Sequence, residues 1–279
     1  MKTAILIDGG YFLRRFPACY PSKDRQDAKE VAKTAFELAL SHLTERRGKP
    51  PYEVVIQYDL HRIFFYDCPP LTKKAHQPVS RRSIDFGKTP QAIFRQDLHD
   101  EIRCLRKMAI RLGHLSEQAE WILKEGRLQS LLSGQLDFKN LTDDDFRYDA
   151  TQKGVDMRIG TDIATLAYKR NVDQIVLVAG DADFVPAAKL ARREGLDFVL
   201  DPMWKAIPPS LNEHVDGIRS TSPKPLVKTN PGKLAIPNLR TPEQAGPFMG
   251  YSLPLGLPPS FHCGTKSLLA SHRTGSTRL

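Results

Sequence analysis

Cysteine is scarce: Cys19, Cys68, Cys104 and Cys263 stand far apart and form no CxxC pair. The histidines show neither HxxxH nor HxH spacing. The chain thus lacks the ligand pattern of a zinc site, and its scattered thiols read as reduced side chains of a cytoplasmic protein. Long apolar runs are missing too. The run 4–7 is stopped by Asp8; it is too short for a signal-peptide core, and nothing approaches the ~20 residues of a membrane helix. No membrane role is expected. The absence of GxxxxGK(S/T) disfavours a P-loop NTPase. No RRM or KH signature is present.

What is there is a basic chain of 279 residues, with 41 Lys and Arg against 32 Asp and Glu, net +9. The surplus is uneven. Residues 220–279 carry seven basic residues and one acid, and residues 68–90 carry five and one. The remainder is close to neutral. A polyanionic partner is implied, and its contacts belong to that segment and that tail.

Short apolar strands alternate with amphipathic helices, the mark of an α/β domain with a mostly parallel sheet. Strands are expected at 3–7, 62–67, 174–179 and 196–200, with a short strand-like piece at 153–159. Helices are expected at 26–47, 91–112, 116–132, 161–170 and 184–194, which makes 91–132 a helical insertion. Residues 68–90 form a loop that is long for a compact domain, hence functional or mobile. The last 60 residues hold 9 Pro, 6 Gly and 13 Ser or Thr. That composition buries too little to fold, so 1–219 is read as the domain and 220–279 as a disordered tail.

The aspartates are informative by position. Asp8, Asp67, Asp181, Asp183 and Asp201 each follow a strand. In an open parallel sheet the crevice lies outside the carboxyl ends of the strands. If the first strand and 174–179 are neighbours, Asp8, Asp181 and Asp183 share it. Asp162 opens the expected helix 161–170, and Asp156 precedes it. Gathered carboxylates repel unless a cation neutralises them. Mg²⁺ and Mn²⁺ favour such oxygen ligands and serve phosphodiester cleavage. Blander roles compete: Asp183 and Asp162 as helix caps, Asp67 and Asp201 as turn formers, Asp143–Asp145 as a solvated turn.

LIDGGYFL near the N-terminus, KGVDMRIGTDIATLA in the middle and IVLVAGDADFVPAAKLARREGLDFVLDP after it, in this order, resemble the bacterial NYN domains of the LabA-like branch, in the PIN-like nuclease superfamily. The resemblance implies a Rossmann-like (PIN-like) three-layer α/β fold and a metal-dependent endoribonuclease. It assigns Asp8, Asp162, Asp181 and Asp183 as catalytic residues and ligands of Mg²⁺ or Mn²⁺, with Asp156 as a further ligand. Many members have Asn where this chain has Tyr11, and hydroxyl residues where it has Ala179 and Ala182. Those departures leave a second reading: a catalytically weak or inactive RNA-binding regulator on the same fold.

For contacts to RNA, Lys73, Lys74, Arg81, Arg82 and Lys88 in the long loop are the leading candidates, followed by Lys189, Arg192 and Arg193. Arg14 and Arg15 lie just past Asp8. A haloacid-dehalogenase-type phosphatase is disfavoured, because that type needs an acid where Gly10 stands. Whether the chain forms a homo-oligomer is open.

Overall fold

The computed structural model describes residues 1–226 apart from 49–50 and 117–118. The expected disordered tail lies outside the described residues from 227 onward. In chain order the elements are strand β1 (Lys2–Asp8), helices α1 (Gly9–Cys19) and α2 (Ala28–Ser41), and strands β2 (Thr44–Arg47), β3 (Val54–Gln57), β4 (Asp59–Asp67), β5 (Lys74–His76) and β6 (Ser83–Asp85). Then come α3 (Pro90–Cys104), β7 (Met108–Leu112), β8 (His114–Leu115), β9 (Glu120–Leu123), α4 (Glu125–Leu132), β10 (Phe146–Asp149) and β11 (Gln152–Lys153). The chain continues through α5 (Val155–Tyr168), β12 (Gln174–Val178), α6 (Val185–Arg193), β13 (Asp197–Asp201), α7 (Pro209–Asn212) and β14 (Gly217–Ile218).

Six strands form one sheet in the order β14-β13-β12-β1-β4-β7, and every neighbouring pair is parallel. Period-2 alternation splits β1 between two layers. Ile5 and Ile7 face α1–α3, packing with Phe12, Phe16, Val31 and Leu98. Ala4 and Leu6 face the other side, with Ile159, Ile163 and Ala188 of α5 and α6. Burying a side chain of this size contributes about 1.5–3 kcal/mol, so the two cores hold the helices to both faces of a three-layer α/β fold.

Several expectations about elements are corrected. The helix expected at 26–47 ends at Ser41, and β2 pairs antiparallel with β3 instead. The helical insertion 91–132 is not helical throughout. Met108–Leu112 is the sixth strand of the main sheet, parallel to β4, and β9 pairs with β10. Five largely apolar residues have no decisive period, and the open edge of β4 settled their state. Of the strand-like piece 153–159 only Lys153 is strand, at the end of β11; 155–159 open α5, which starts after Gly154 (φ 79°). The long loop 68–90 contains the hairpin of β5 and β6. Helix α1, unexpected from the sequence, starts directly from the Asp8 N-cap. Ser222, three residues past the expected domain end, is buried.

Candidate metal and nucleic-acid site

Strand β1 is the point where the chain reverses direction across the sheet, toward β4 on one side and β12 on the other. At such a switch point the connections diverge and leave a crevice beyond the strand ends. The register sets Ile7 beside Val178 and Asp8 beside Tyr66. Asp8 therefore enters the crevice next to the Gly180-Asp181 turn that follows β12.

The acids at the strand ends fall into two classes. Asp67 and Asp201 are fully buried and already partnered. Asp67 accepts from Arg95 Nη1 at 2.7 Å, and its other oxygen lies 2.8 Å from His99 Nε2. Asp201 lies 2.9 Å from His42 Nε2 and accepts from the Met203 amide at 2.7 Å. Both anchor helices and loops to the sheet from its interior; Asp201 also forms the expected turn, through the Met203 amide two residues on.

Asp8, Asp156, Asp181 and Asp183 form the other class. Asp8 accepts one hydrogen bond, from the Tyr11 amide at 3.0 Å, as the N-cap of α1. Asp156 sits in the first turn of α5. Asp181 stands at the N-cap of a 3-10 turn (Ala182–Phe184) that leads into α6 and Asp183 lies within it, but neither side chain makes a capping hydrogen bond. Among the described residues, the carboxylates of Asp156, Asp181 and Asp183 make neither a hydrogen bond nor an ion pair.

Two of the four are raised by their surroundings. Burial pushes the Asp8 carboxyl above its ordinary 3.8, against the pull of the Tyr11 amide and Arg14, and the charges of Asp156 and Asp67 add to the push. Partial desolvation raises Asp156, and the charges of Asp181 and Asp183 raise it further while Arg14 opposes them. Arg14 opposes the rise of both acids.

Asp162 stands apart from this group. It lies in the middle of α5 rather than at a cap, and its Oδ2 accepts from the Tyr66 hydroxyl at 2.8 Å and faces Arg111 Nε at 3.3 Å. Those partners are illegible in a sequence whose residues 91–112 read as helix, because Arg111 reaches Asp162 only from β7.

The donor chemistry of the four suits a hard divalent cation: carboxylate oxygens only, from three separate segments, not neutralised by protein. As they are placed, no three His, Cys, Asp or Glu side chains among the described residues are grouped so that they could hold a metal ion.

Tyr11 has a structural explanation. A Cβ on Gly180 would lie 2.7 Å from the Tyr11 hydroxyl, so Tyr11 packs closely against the Gly180-Asp181 turn. The hydroxyl donates to the Pro202 carbonyl at 2.6 Å. Burial pushes this phenol up to about 12. Tyr11 thus braces the turn that carries Asp181. Ala179 is buried, and its amide donates to the Asp201 carbonyl at 3.2 Å.

The candidate cations also divide. Lys73, Lys74, Arg81, Arg82 and Lys88 are all exposed on the loop that carries β5 and β6. That loop is tied down: Asp143 Oδ1 accepts from the Val79 and Ser80 amides, and Trp121 Nε1 donates to the His76 carbonyl. Arg192 and Arg193 end α6, just before β13 begins, and so lie toward the opposite end of the sheet from the acids. Arg192 pairs with Asp216 at 2.8 Å, and Arg193 faces Glu194 at 3.6 Å. Lys189 is exposed on α6. Arg15 donates to the Met203 carbonyl.

The model of the NYN domain family matches residues 100–217, from the end of α3 to the start of β14. The matched stretch contains Asp156, Asp162, Asp181 and Asp183 and leaves out Asp8. NYN domains are generally nucleases of the PIN-like group, typically dependent on divalent metal. No curated protein matches this chain. A crystal structure of a protein of unknown function from Vibrio parahaemolyticus RIMD 2210633 aligns at 14% identity and a TM-score of 0.41, over 81% of this chain and 96% of that one. No helix among the described residues is long and apolar enough to cross a membrane.

Proposed function

We propose that the chain, which carries an NYN domain by the match over residues 100–217, is a metal-dependent endoribonuclease whose working acids are Asp8, Asp156, Asp181 and Asp183. One observation carries the reading. These carboxylates stand at the carboxyl end of the sheet around its switch point with no ion pair to a protein cation, while the neighbouring Asp67, Asp162 and Asp201 are all engaged by protein partners. Asp8 is buried and Asp156 is close enough to disfavour its charge, so an unpaired carboxylate there is costly. Mg²⁺ or Mn²⁺ held by these residues would relieve the repulsion, supply hydroxide from bound water and stabilise the leaving oxygen of a phosphodiester.

The chain's own residues do the rest. The α1 N-terminus and the Tyr11 amide fix the Asp8 carboxylate in orientation. Tyr11 holds the Gly180-Asp181 turn in place from behind. Arg14 is placed to contact a phosphate entering beside Asp8. Asp162, held by Tyr66 and Arg111, steadies α5 and thereby the position of Asp156; we place it outside the ligand set.

The test is cleavage of end-labelled single-stranded RNA with Mg²⁺ or Mn²⁺, comparing the wild type with Asp181→Asn. Loss of even an outer-shell partner of a metal costs roughly 10–100-fold, so the variant should lose at least that much. Equal turnover by the two proteins would overturn the assignment. Metal-independent binding with no cleavage by the wild type would favour the regulatory reading instead.

A further inference from the structure

Beside the acids lies a cavity of about 600 Å³, between α1, α3, the 68–90 loop and β10. Its volume is that of a small-molecule site. Its walls are unusual for this protein. Phe86 and Tyr148 line it, half-buried, with ring centroids 4.6 Å apart. Trp121 packs behind both, at 6.1 Å and 5.1 Å. None of the three belongs to either hydrophobic core of the sheet, so burying these rings is not what holds the main layers together. Arg25 and Arg95 also line the cavity, which gives an aromatic wall two guanidinium neighbours.

The cavity neighbours Asp8 through α1 and Gln152. Leu13 and Phe16 in its wall belong to α1, which Asp8 caps. Gln152, another wall residue, brings Oε1 to 4.0 Å from a Cβ placed on Gly10, and the same point is 3.4 Å from Asp8 Oδ1. Arg95 lines the cavity while holding Asp67, whose charge Asp8 feels.

Flat aromatic faces with adjacent guanidinium groups suit a π-surface carrying hydrogen-bonding edges. The exposed Lys73, Lys74, Arg81, Arg82 and Lys88 on the same loop select a polyanion over a neutral ligand. We propose that this cavity receives one unstacked base of single-stranded RNA next to the scissile phosphate. The proposal rests on the ribonuclease reading and adds to it that the substrate must offer a splayed base. Single-stranded loops and ends do so, whereas a base inside a duplex cannot reach such a pocket. Phe86 and Tyr148 supply the stack, and Gln152 stands between the base pocket and Asp8.

The experiment uses the full chain carrying Asp181→Asn, in EDTA, with a short single-stranded RNA that contains a fluorescent base analogue quenched by stacking. Quenching on binding is expected, and a duplex of the same sequence should give none. Adding Tyr148→Ala should weaken binding roughly five- to a hundredfold and abolish quenching, the range for loss of one base–aromatic stack. Tyr148→Phe should retain both. Arg25→Ala, at an exposed side chain, gives a second variant if Tyr148→Ala does not fold. Quenching that is unchanged in Tyr148→Ala and Arg25→Ala, or equal with duplex, would overturn the proposal. This readout needs no turnover. A chain that quenches but never cleaves refutes the ribonuclease and keeps the pocket, and one that cleaves without quenching does the reverse.

Discussion

Gly9 and Gly10 look interchangeable in the sequence and are not. A Cβ on Gly9 would lie 2.6 Å from both the Tyr66 carbonyl oxygen and Phe65 Cε1. Backbone cannot move aside cheaply, so Gly9→Ala should cost about 1–3 kcal/mol by overpacking. A Cβ on Gly10 meets its nearest atoms at 3.4 Å, and they are the ends of the Arg14 and Asp8 side chains. Since Gly10 lies in α1, Gly10→Ala should leave stability unchanged or raise it by up to about 1 kcal/mol. Denaturant unfolding of the two variants checks both values; equal destabilisation would show that the close approach at Gly9 is not what requires glycine. At this scale the sequence was partly legible. Asp8, Asp181 and Asp183 could be placed because each follows an unmistakable buried strand. The different roles of Asp67, Asp201 and Asp162 could not, because their partners His99, His42 and Tyr66 lie 32, 159 and 96 residues away.

Elements were legible where apolar runs were continuous and bounded by turns, as in β1, β4, β12 and β13. They were illegible where tertiary contacts decided. Met108–Leu112 became strand because β4 offered an open edge, and Gly113, just after it, sits so close to Lys153 that a Cβ there would be 2.6 Å from that carbonyl. The β5–β6 hairpin is likewise held from outside, by Asp143. Its two amide bonds from Val79 and Ser80 predict that Asp143→Ala will leave the global melting temperature unchanged while exposing residues 77–82 to proteolysis. The hydrogen bonds from Ser80 hold the Asp143 carboxyl below its ordinary 3.8. A depressed acid stabilises the hairpin above its unfolded value and stops doing so as pH falls through the lower folded value. Protection of the Val79 and Ser80 amides, taken relative to their intrinsic exchange rates at each pH, should therefore fall on acidification below about pH 4 in the wild type and show no such step in Asp143→Ala. A step of the same size in both would remove Asp143 as the anchor.

On the scale of the whole molecule the charges are separated by role. The carboxylates with no protein cation gather at the carboxyl end of the sheet, beside β1. The exposed lysines and arginines of 68–90 share a loop with Pro69, Pro70, Leu71 and Phe86 of the aromatic cavity, and seven more basic residues lie beyond Arg219 with one acid among them. A polyanion held only by the crevice would be repelled until metal neutralised it, so the distant cations matter most for capture and least for the chemical step. Ending the chain at Lys228 removes five of those seven basic residues together with Glu243, the one acid. Each phosphate that the shortened chain leaves without a cation should reduce the slope of log K against log salt by about 0.7 for a single strand. The truncated chain should bind single-stranded RNA more weakly at low salt, with a shallower slope, and approach the full chain's affinity as salt rises. Metal-dependent turnover at saturating RNA should stay the same, because the acids, Arg14 and the base cavity all remain. A truncation that kept the slope but lost turnover would mean that the tail serves the crevice rather than the capture of RNA.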